Sequence, residues 1–91
     1  MPDLNKIFSA LADNTRRRIL FLLRKGSLSA GEIAAEFPVS KPSITFHLKI
    51  LKEAGLVYSR RKGQYIIYTL QISVFEEAML IFMNMFNKGE Q

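Results

Sequence analysis

The stretch from Ser29 to Gly55, SAGEIAAEFPVSKPSITFHLKILKEAG, decides how this chain folds. It spells two helices joined by a turn. Ser29 with Glu32 three residues on suits a capping box, in which hydroxyl and carboxylate each satisfy an orphan backbone N–H. Pro38 lacks a donor and disfavours helix at the residue before it, so the first helix must stop ahead of it. Ser40 caps the second helix, and Pro42 lies in its first turn, where a missing N–H costs nothing. Gly55 follows the last apolar position and can take the left-handed conformation that closes a helix. Two short helices split by a turn of three or four residues form the helix-turn-helix layout. The rest of the chain reads as support for the second helix, about residues 41–54.

Placed at 100° steps, Ile44, Leu48 and Leu51 of that helix fall together and face a core. Lys41, Thr45, Lys49 and Lys52 are read as the polar, basic stripe on the far side. Such a face fits the major groove, where Thr can touch a base edge or a thymine methyl and Lys can reach guanine or phosphate oxygens. Phe46 is placed at the edge of this face, either against a thymine methyl or against a neighbouring element. His47 sits between the two arcs, as a structural side chain or as a phosphate or base contact. No second His and no Cys exist to complete a metal site around it.

Upstream, Asp3 can cap a first helix whose Leu4, Ile7, Phe8 and Leu11 make one apolar stripe. Asp13-Asn14 breaks that pattern and can cap again. A helix over about 14–25 follows, with Ile19, Leu20, Leu22 and Leu23 as its buried side, and Gly26 ends it. Arg16, Arg17 and Arg18 occupy its first turn, where the macrodipole disfavours cations. That local cost points to phosphate contact or an ion pair across the core, unless the three form a solvated face. Ser27 to Ser29 is a connector holding one or two strand residues. Ile33, Ala34 and Phe37 of the helix after it point inward.

Downstream, residues 56–61 and 65–70 are strand-like, and Lys62-Gly63-Gln64 joins them as a hairpin. Its tip carries Arg60, Arg61 and Lys62. A basic hairpin directly after a recognition helix is a wing, which lies on the backbone or places Arg in a narrow minor groove. The last helix opens at Ser73, with Glu76 completing a capping box. It carries two apolar stripes: Val74, Ala78, Ile81 and Met85, and beside them Phe75, Met79, Phe82 and Phe86. One closes the core. The chain is too short to cover the other, and an apolar patch of that kind marks an interface. The simplest partner is a second copy, with a seam of Leu4, Ile7 and Phe8 from the first helix and Phe75, Met79, Phe82 and Phe86 from the last. A ligand pocket among the Met and Phe residues is the weaker alternative, because helical spacing favours packing. Residues 87–91 are expected to fray.

Ninety-one residues suffice for one domain, here taken as 1–91, with a core modest enough that a partner subunit would help. With no cysteine, disulfides and thiolate metal sites are excluded. No apolar run approaches the roughly 18 residues that span a bilayer. No signal peptide is visible, so the expected location is the cytoplasm. The formal charge is +5, and eleven of the thirteen Lys and Arg residues fall between Arg16 and Lys62. A basic middle with near-neutral ends points to a polyanion, nucleic acid before a membrane surface. There is no nucleophile–base pair, no P-loop and no GxGxxG, so neither an enzyme nor a cofactor is expected.

The combination of motifs resembles the ArsR/SmtB repressors. Leu11 to Leu20, LADNTRRRIL, is similar to that family's "LADxTRxxIL" opening. Ser40 to Val57 resembles its recognition-helix run, and Arg61-Lys62-Gly63-Gln64 with Tyr68-Thr69-Leu70 its wing. Within the family the likeness is to the SdpR-type autorepressor branch. The resemblance implies a mainly α winged helix-turn-helix of five helices and a two-stranded wing, acting as a homodimeric repressor on a palindromic operator of double-stranded DNA. It assigns recognition to Lys41, Ser43, Thr45, Phe46 and His47, with Lys49 beside them, and the wing role to Arg60, Arg61, Lys62 and Gln64. Metal-sensing members carry ligands at the start of the helix-turn-helix or on the last helix. Here those regions read Ser-Leu-Ser-Ala-Gly-Glu-Ile and Ser-Val-Phe-Glu-Glu-Ala-Met-Leu, so no metal is expected. Release from DNA, if regulated, would then come through a protein inducer or anti-repressor or a small apolar molecule, or not at all. Two other functions compete: a protein-interaction module docking through the apolar last helix, and peripheral membrane binding, which lacks a free basic amphipathic helix.

Overall fold

A computed structural model describes residues 2–89, with side chains through Asn87. Five helices and three strands follow in the order α1 (Leu4–Leu11), α2 (Asn14–Leu23), β1 (Leu28–Ser29), α3 (Ala30–Ala34), α4 (Lys41–Glu53), β2 (Val57–Lys62), β3 (Tyr65–Leu70) and α5 (Ile72–Gly89).

Local chemistry sets most boundaries. Asp3 Oδ1 accepts from the Lys6 N–H at 3.2 Å to cap α1, and Asp13 Oδ2 accepts from the Arg16 N–H at 3.0 Å to cap α2. The α3 capping box is complete: the Glu32 N–H donates to Ser29 Oγ at 3.1 Å, and the Ser29 N–H donates to Glu32 Oε1 at 2.8 Å. Ser40 Oγ accepts from the Ser43 N–H at 3.2 Å at the head of α4. At its foot, Gly55 takes φ +78°, and two reversed bonds close the helix: Leu56 N–H to Leu51 O and Gly55 N–H to Lys52 O, both 3.0 Å. This is a Schellman motif, which only a residue at ease in the left-handed region completes without strain.

Several boundaries differ from the sequence reading: α2 stops at Leu23 rather than near residue 25, β2 takes in Lys62, and three more differences lie in α3 to α5. The link between α3 and α4 is six residues, 35–40, rather than three or four. The Glu36 and Phe37 N–H groups reach back only three residues, to Ile33 and Ala34, and Pro38 has no N–H with which to continue. At the other end of the chain, α5 begins at Ile72, so Ser73 stands inside the first turn and not at the cap. That helix also continues through Asn87 to Gly89, since no proline or earlier glycine interrupts it; of the residues expected to fray, 90 and 91 lie outside the described residues.

The wing is one part of a three-stranded antiparallel sheet, order β1-β3-β2, and not a free two-stranded ribbon. β2 and β3 pair from Val57 opposite Leu70 to Lys62 opposite Tyr65, leaving Gly63-Gln64 as a two-residue turn. Gly63 has φ +62° at the first central position, as a type II′ hairpin requires. The second edge of β3 would otherwise be open. β1 fills it, with Leu28 opposite Tyr68 and Ser29 opposite Ile67. A 2.7 Å hydrogen bond between the hydroxyls of Ser27 and Thr69 extends the contact.

The core draws on every helix: Ile7 and Ala10, Ile19 and Leu23, Ile33, then Ile44, Leu48 and Leu51, with Leu56, Val57 and Ala78 closing it. Each fully buried Leu or Ile contributes about 1.5–3 kcal/mol. Ile44, Leu48 and Leu51 have no accessible surface, so α4 is clamped along its whole inner face. Ile7 corrects the expected seam. It also has no accessible surface and belongs to the chain's own core, because the stripe of α1 turns this residue onto α2 and α4.

Candidate nucleic-acid interface

Because α4 is fixed on its inner side, its outer side is defined by rotation. Thr45, Phe46 and Lys49 are exposed there, and Lys41 and Lys52 are exposed beside it. At 100° per residue, Phe46 lies roughly 170° from the mean direction of Ile44, Leu48 and Leu51. It is 58% exposed and stands past Lys49 at the edge of the polar stripe, in nearly the same direction as the exposed Glu53 two turns on. Lys49 and Thr45 lie on one side of it, about 60° and 100° round, and Ile50 lies on the other. Lys41 and Lys52 lie further round toward the core side and reach solvent along their stems. Ser43 is half-buried, its N–H held by the Ser40 cap.

His47 is drawn inward. Its side chain is 15% exposed, and Nδ1 stands 3.2 Å from Arg16 Nη1 and 3.9 Å from Asp13 Oδ2. A guanidinium can only donate, so Nδ1 accepts and the imidazole hydrogen sits on Nε2. The structural role considered for this residue thus has named partners. The same guanidinium donates from Nε to Ala10 O at 2.8 Å and from Nη2 to Ser9 O at 3.2 Å, while Arg17 Nη1 donates to Leu11 O at 2.6 Å. The first-turn arginines of α2 are at the same time the last-turn cations of α1. The favourable end of one dipole offsets the unfavourable end of the other. Arg16 is committed to this joint, and Arg18 lies over the Phe37 ring at 5.1 Å. The Asp13–Arg16–His47 contact was not read from sequence, since it joins residues 31 positions apart; the pairing of a helix-ending Asp with an Arg three residues later was its only local signal.

The Arg16 N–H, then the Arg16 charge, hold the Asp13 carboxyl below its ordinary value of 3.8, with the ring of His47 a smaller influence. A depressed carboxylate stabilises the fold fully above that ordinary value, and the contribution is lost as pH falls through the folded value. Asp13→Asn keeps the cap but removes the titration. Thermal melts should therefore show wild type and Asp13→Asn converging as pH drops from 6 to 3, while Asp13→Ala is weaker throughout by about 1 kcal/mol.

The wing presents Arg60, Arg61, Lys62 and Gln64, all exposed. The Arg61 guanidinium makes only a 3.5 Å contact to Gly63 O, and Gln64 Nε2 donates to the Tyr65 hydroxyl at 3.3 Å. Among the described residues no Lys or Arg lies within 4.0 Å of a carboxylate; the one such pair is His47 with Asp13. No group of three or more metal-ligating side chains comes together among them, and no helix is long and apolar enough to cross a membrane.

On the opposite side, Phe8 and Phe82 meet edge to face at 5.3 Å, and Phe82 and Phe86 at 5.0 Å. The two stripes of α5 are now separated. Ala78 is buried, with Val74 and Ile81 half-buried beside it, whereas Met85 of that stripe is exposed. Leu4, Phe75 and Met79 pack partly on the core, and Phe82 and Phe86 reach the surface. Exposed Met83 widens this apolar face beyond the seam read from sequence, whereas Leu80, 65% exposed, lies on the side of Ser73, Glu77 and Asn84.

A clamped second helix of a helix-turn-helix beside a basic hairpin defines a winged helix-turn-helix domain. Residues 13–59 match the arsR family of bacterial regulatory proteins. The transcriptional repressor SdpR of Bacillus subtilis (strain 168) is 46% identical over 87 residues, 96% of this chain and 97% of that one. Among solved structures, an ArsR-like transcriptional regulator from Rhodococcus sp. RHA1 superposes with a TM-score of 0.87 at 31% identity, covering 96% of this chain and 82% of the other. The homodimeric winged helix-turn-helix DNA-binding domain of a possible ArsR-family regulator from Mycobacterium bovis gives 0.74 at 29% identity, covering 87% and 74%. This chain belongs to the arsR family of bacterial regulatory proteins.

Proposed function

We propose that the chain is a cytoplasmic, homodimeric transcriptional repressor, not an enzyme, that binds a palindromic operator and regulates its own gene. The observation that carries this is the unpaired basic surface. Lys41, Lys49, Arg60, Arg61 and Lys62 are exposed without a carboxylate partner, on α4 and on the wing that follows it. Cations left unneutralised in this way supply the counterion release that drives binding to a phosphate backbone. In this reading α4 enters the major groove, with Thr45, Phe46 and Lys49 toward base edges and Lys41, Ser43 and His47 bordering them. The wing lies on the backbone or in the minor groove. Two-fold pairing through α1 and α5 sets the recognition helices about 34 Å apart, one turn of DNA. The 1–91 chain acts as one DNA-binding domain, and its release by a protein or a small apolar molecule fits the exposed part of α5 better than release by a metal.

The test is selection of bound fragments from the chain's own genomic DNA, followed by gel shift at low salt. Retention of a fragment upstream of its own gene, with half-sites centred about 10 base pairs apart, is the expected outcome. No shift of any fragment at 50 mM salt overturns the proposal. The apolar face of α5 also suits a protein-interaction module; that reading gains if charge reversal at Lys41, Lys49 and Arg61 leaves function intact.

A further inference from the structure

We propose that Phe46 reads the 5-methyl group of a thymine, and that this single apolar contact, more than the lysines around it, fixes one base of each half-site; the inference rests on the DNA-binding reading above. Burying a phenylalanine side chain is worth about 1.5–3 kcal/mol, yet Phe46 stands on the outer side of α4 and is 58% exposed. Within the chain its ring has one aromatic neighbour, the edge of His47 at 5.7 Å and 63°. That imidazole is itself fixed, because Nδ1 accepts from Arg16 Nη1, and Arg16 is tied to Ala10 O and Ser9 O. The phenyl ring thus stands on a strut that runs back to the end of α1, and it is held without being covered.

The surroundings say what covers it. Lys49 and Thr45 stand on one side of the ring and half-buried Ile50 on the other, with Glu53 two turns on, and exposed Arg60 to Lys62 lie on the wing. An apolar protein partner would meet this ring only by desolvating the lysines. A duplex accepts the lysines at its phosphates and offers one apolar group in the major groove, the thymine methyl. Adenine, guanine and cytosine present only donors and acceptors there, so an apolar ring discriminates by the methyl alone. The lysines make strong but permissive contacts, which position the helix without reading sequence.

The test uses the full chain and a duplex it selects from a random pool. That duplex is remade with deoxyuridine for thymidine, first throughout and then one position at a time, which removes the 5-methyl and nothing else. Wild type should bind the fully substituted duplex on the order of 15-fold more weakly, about fourfold for each half-site, the worth of one buried methylene-sized group. The scan should place the loss at one thymine per half-site, related by the two-fold axis. Phe46→Ala should bind both duplexes equally, and Phe46→Leu should restore part of the difference. Equal affinity of wild type for the two duplexes overturns the inference, and it does so without any variant. A difference that survives in Phe46→Ala also overturns it and assigns the methyl to Thr45. Failure to select any duplex at all removes the DNA-binding reading itself, which is a separate outcome at a separate step.

Discussion

Replacing Arg60, Arg61 and Lys62 together by alanine should weaken binding to selected and random duplexes alike, on the order of a thousandfold at 0.1 M salt. All three side chains are exposed on β2, none is paired with a carboxylate, and none contributes to the core. The turn that holds them depends on Gly63 at φ +62° and on the β2–β3 register, both untouched by the substitutions. The loss is therefore electrostatic and not a failure to fold. Each phosphate neutralised contributes about 0.9 to the slope of log affinity against log salt, so six cations in a dimer should flatten that slope by about 5. The ratio of specific to random affinity should hardly change, because phosphate contacts position the protein and carry no base code. Binding isotherms between 50 and 400 mM salt, on one selected and one scrambled duplex, measure both quantities. An unchanged slope would remove the wing from the interface.

Much of this architecture is legible in single residues because caps and turns are local chemistry. Asp3, Asp13, Ser29 and Ser40 each bond a backbone N–H three residues on, and Gly55 and Gly63 each stand where φ must be positive. What escapes the sequence is long-range. β1 has two residues, too few for any alternation, and it exists as a strand only because β3 offers it an edge. Arg16 looks like a misplaced cation until the end of α1 is seen beside it, when its three acceptors on α1 and α4 become apparent. Ile7 shares a stripe with Leu4 and Phe8, and periodicity alone cannot say which edge of a broad stripe turns inward. Lys41 and Lys52 are a related case: both are exposed although they stand only about 50–75° round α4 from the direction of Ile44, Leu48 and Leu51. Long lysine stems carry their charge round a helix, so charge is a poor guide to angle.

The apolar side of the molecule makes the second large prediction. Phe86→Glu should turn the dimer into monomers and lower DNA affinity by about 10²–10⁴-fold, although the substitution is remote from every residue proposed to touch DNA. Phe86 is 63% exposed in the single chain and meets Phe82 at 5.0 Å; Phe82 in turn meets Phe8 at 5.3 Å. This aromatic row runs out of the core along α5 and ends in water beside the exposed Met83. Burying it against a second copy removes that surface from water, and one glutamate at its outer end would bring an unpaired charge into the seam of each protomer. The isolated fold should survive, because Ala78 and Val74 anchor α5 by a different stripe. Asn84→Glu, on the polar side of the same helix, should leave size and affinity unchanged. The affinity loss follows from geometry: one recognition helix captures one half-site, and the linked second helix binds at high effective concentration only while the seam holds. Sedimentation of wild type and Phe86→Glu, with titration of whole and half operators, separates the two effects. A variant that remains dimeric would move the two-fold axis away from α5, and one that becomes monomeric yet keeps full affinity would show that a single wing and helix suffice.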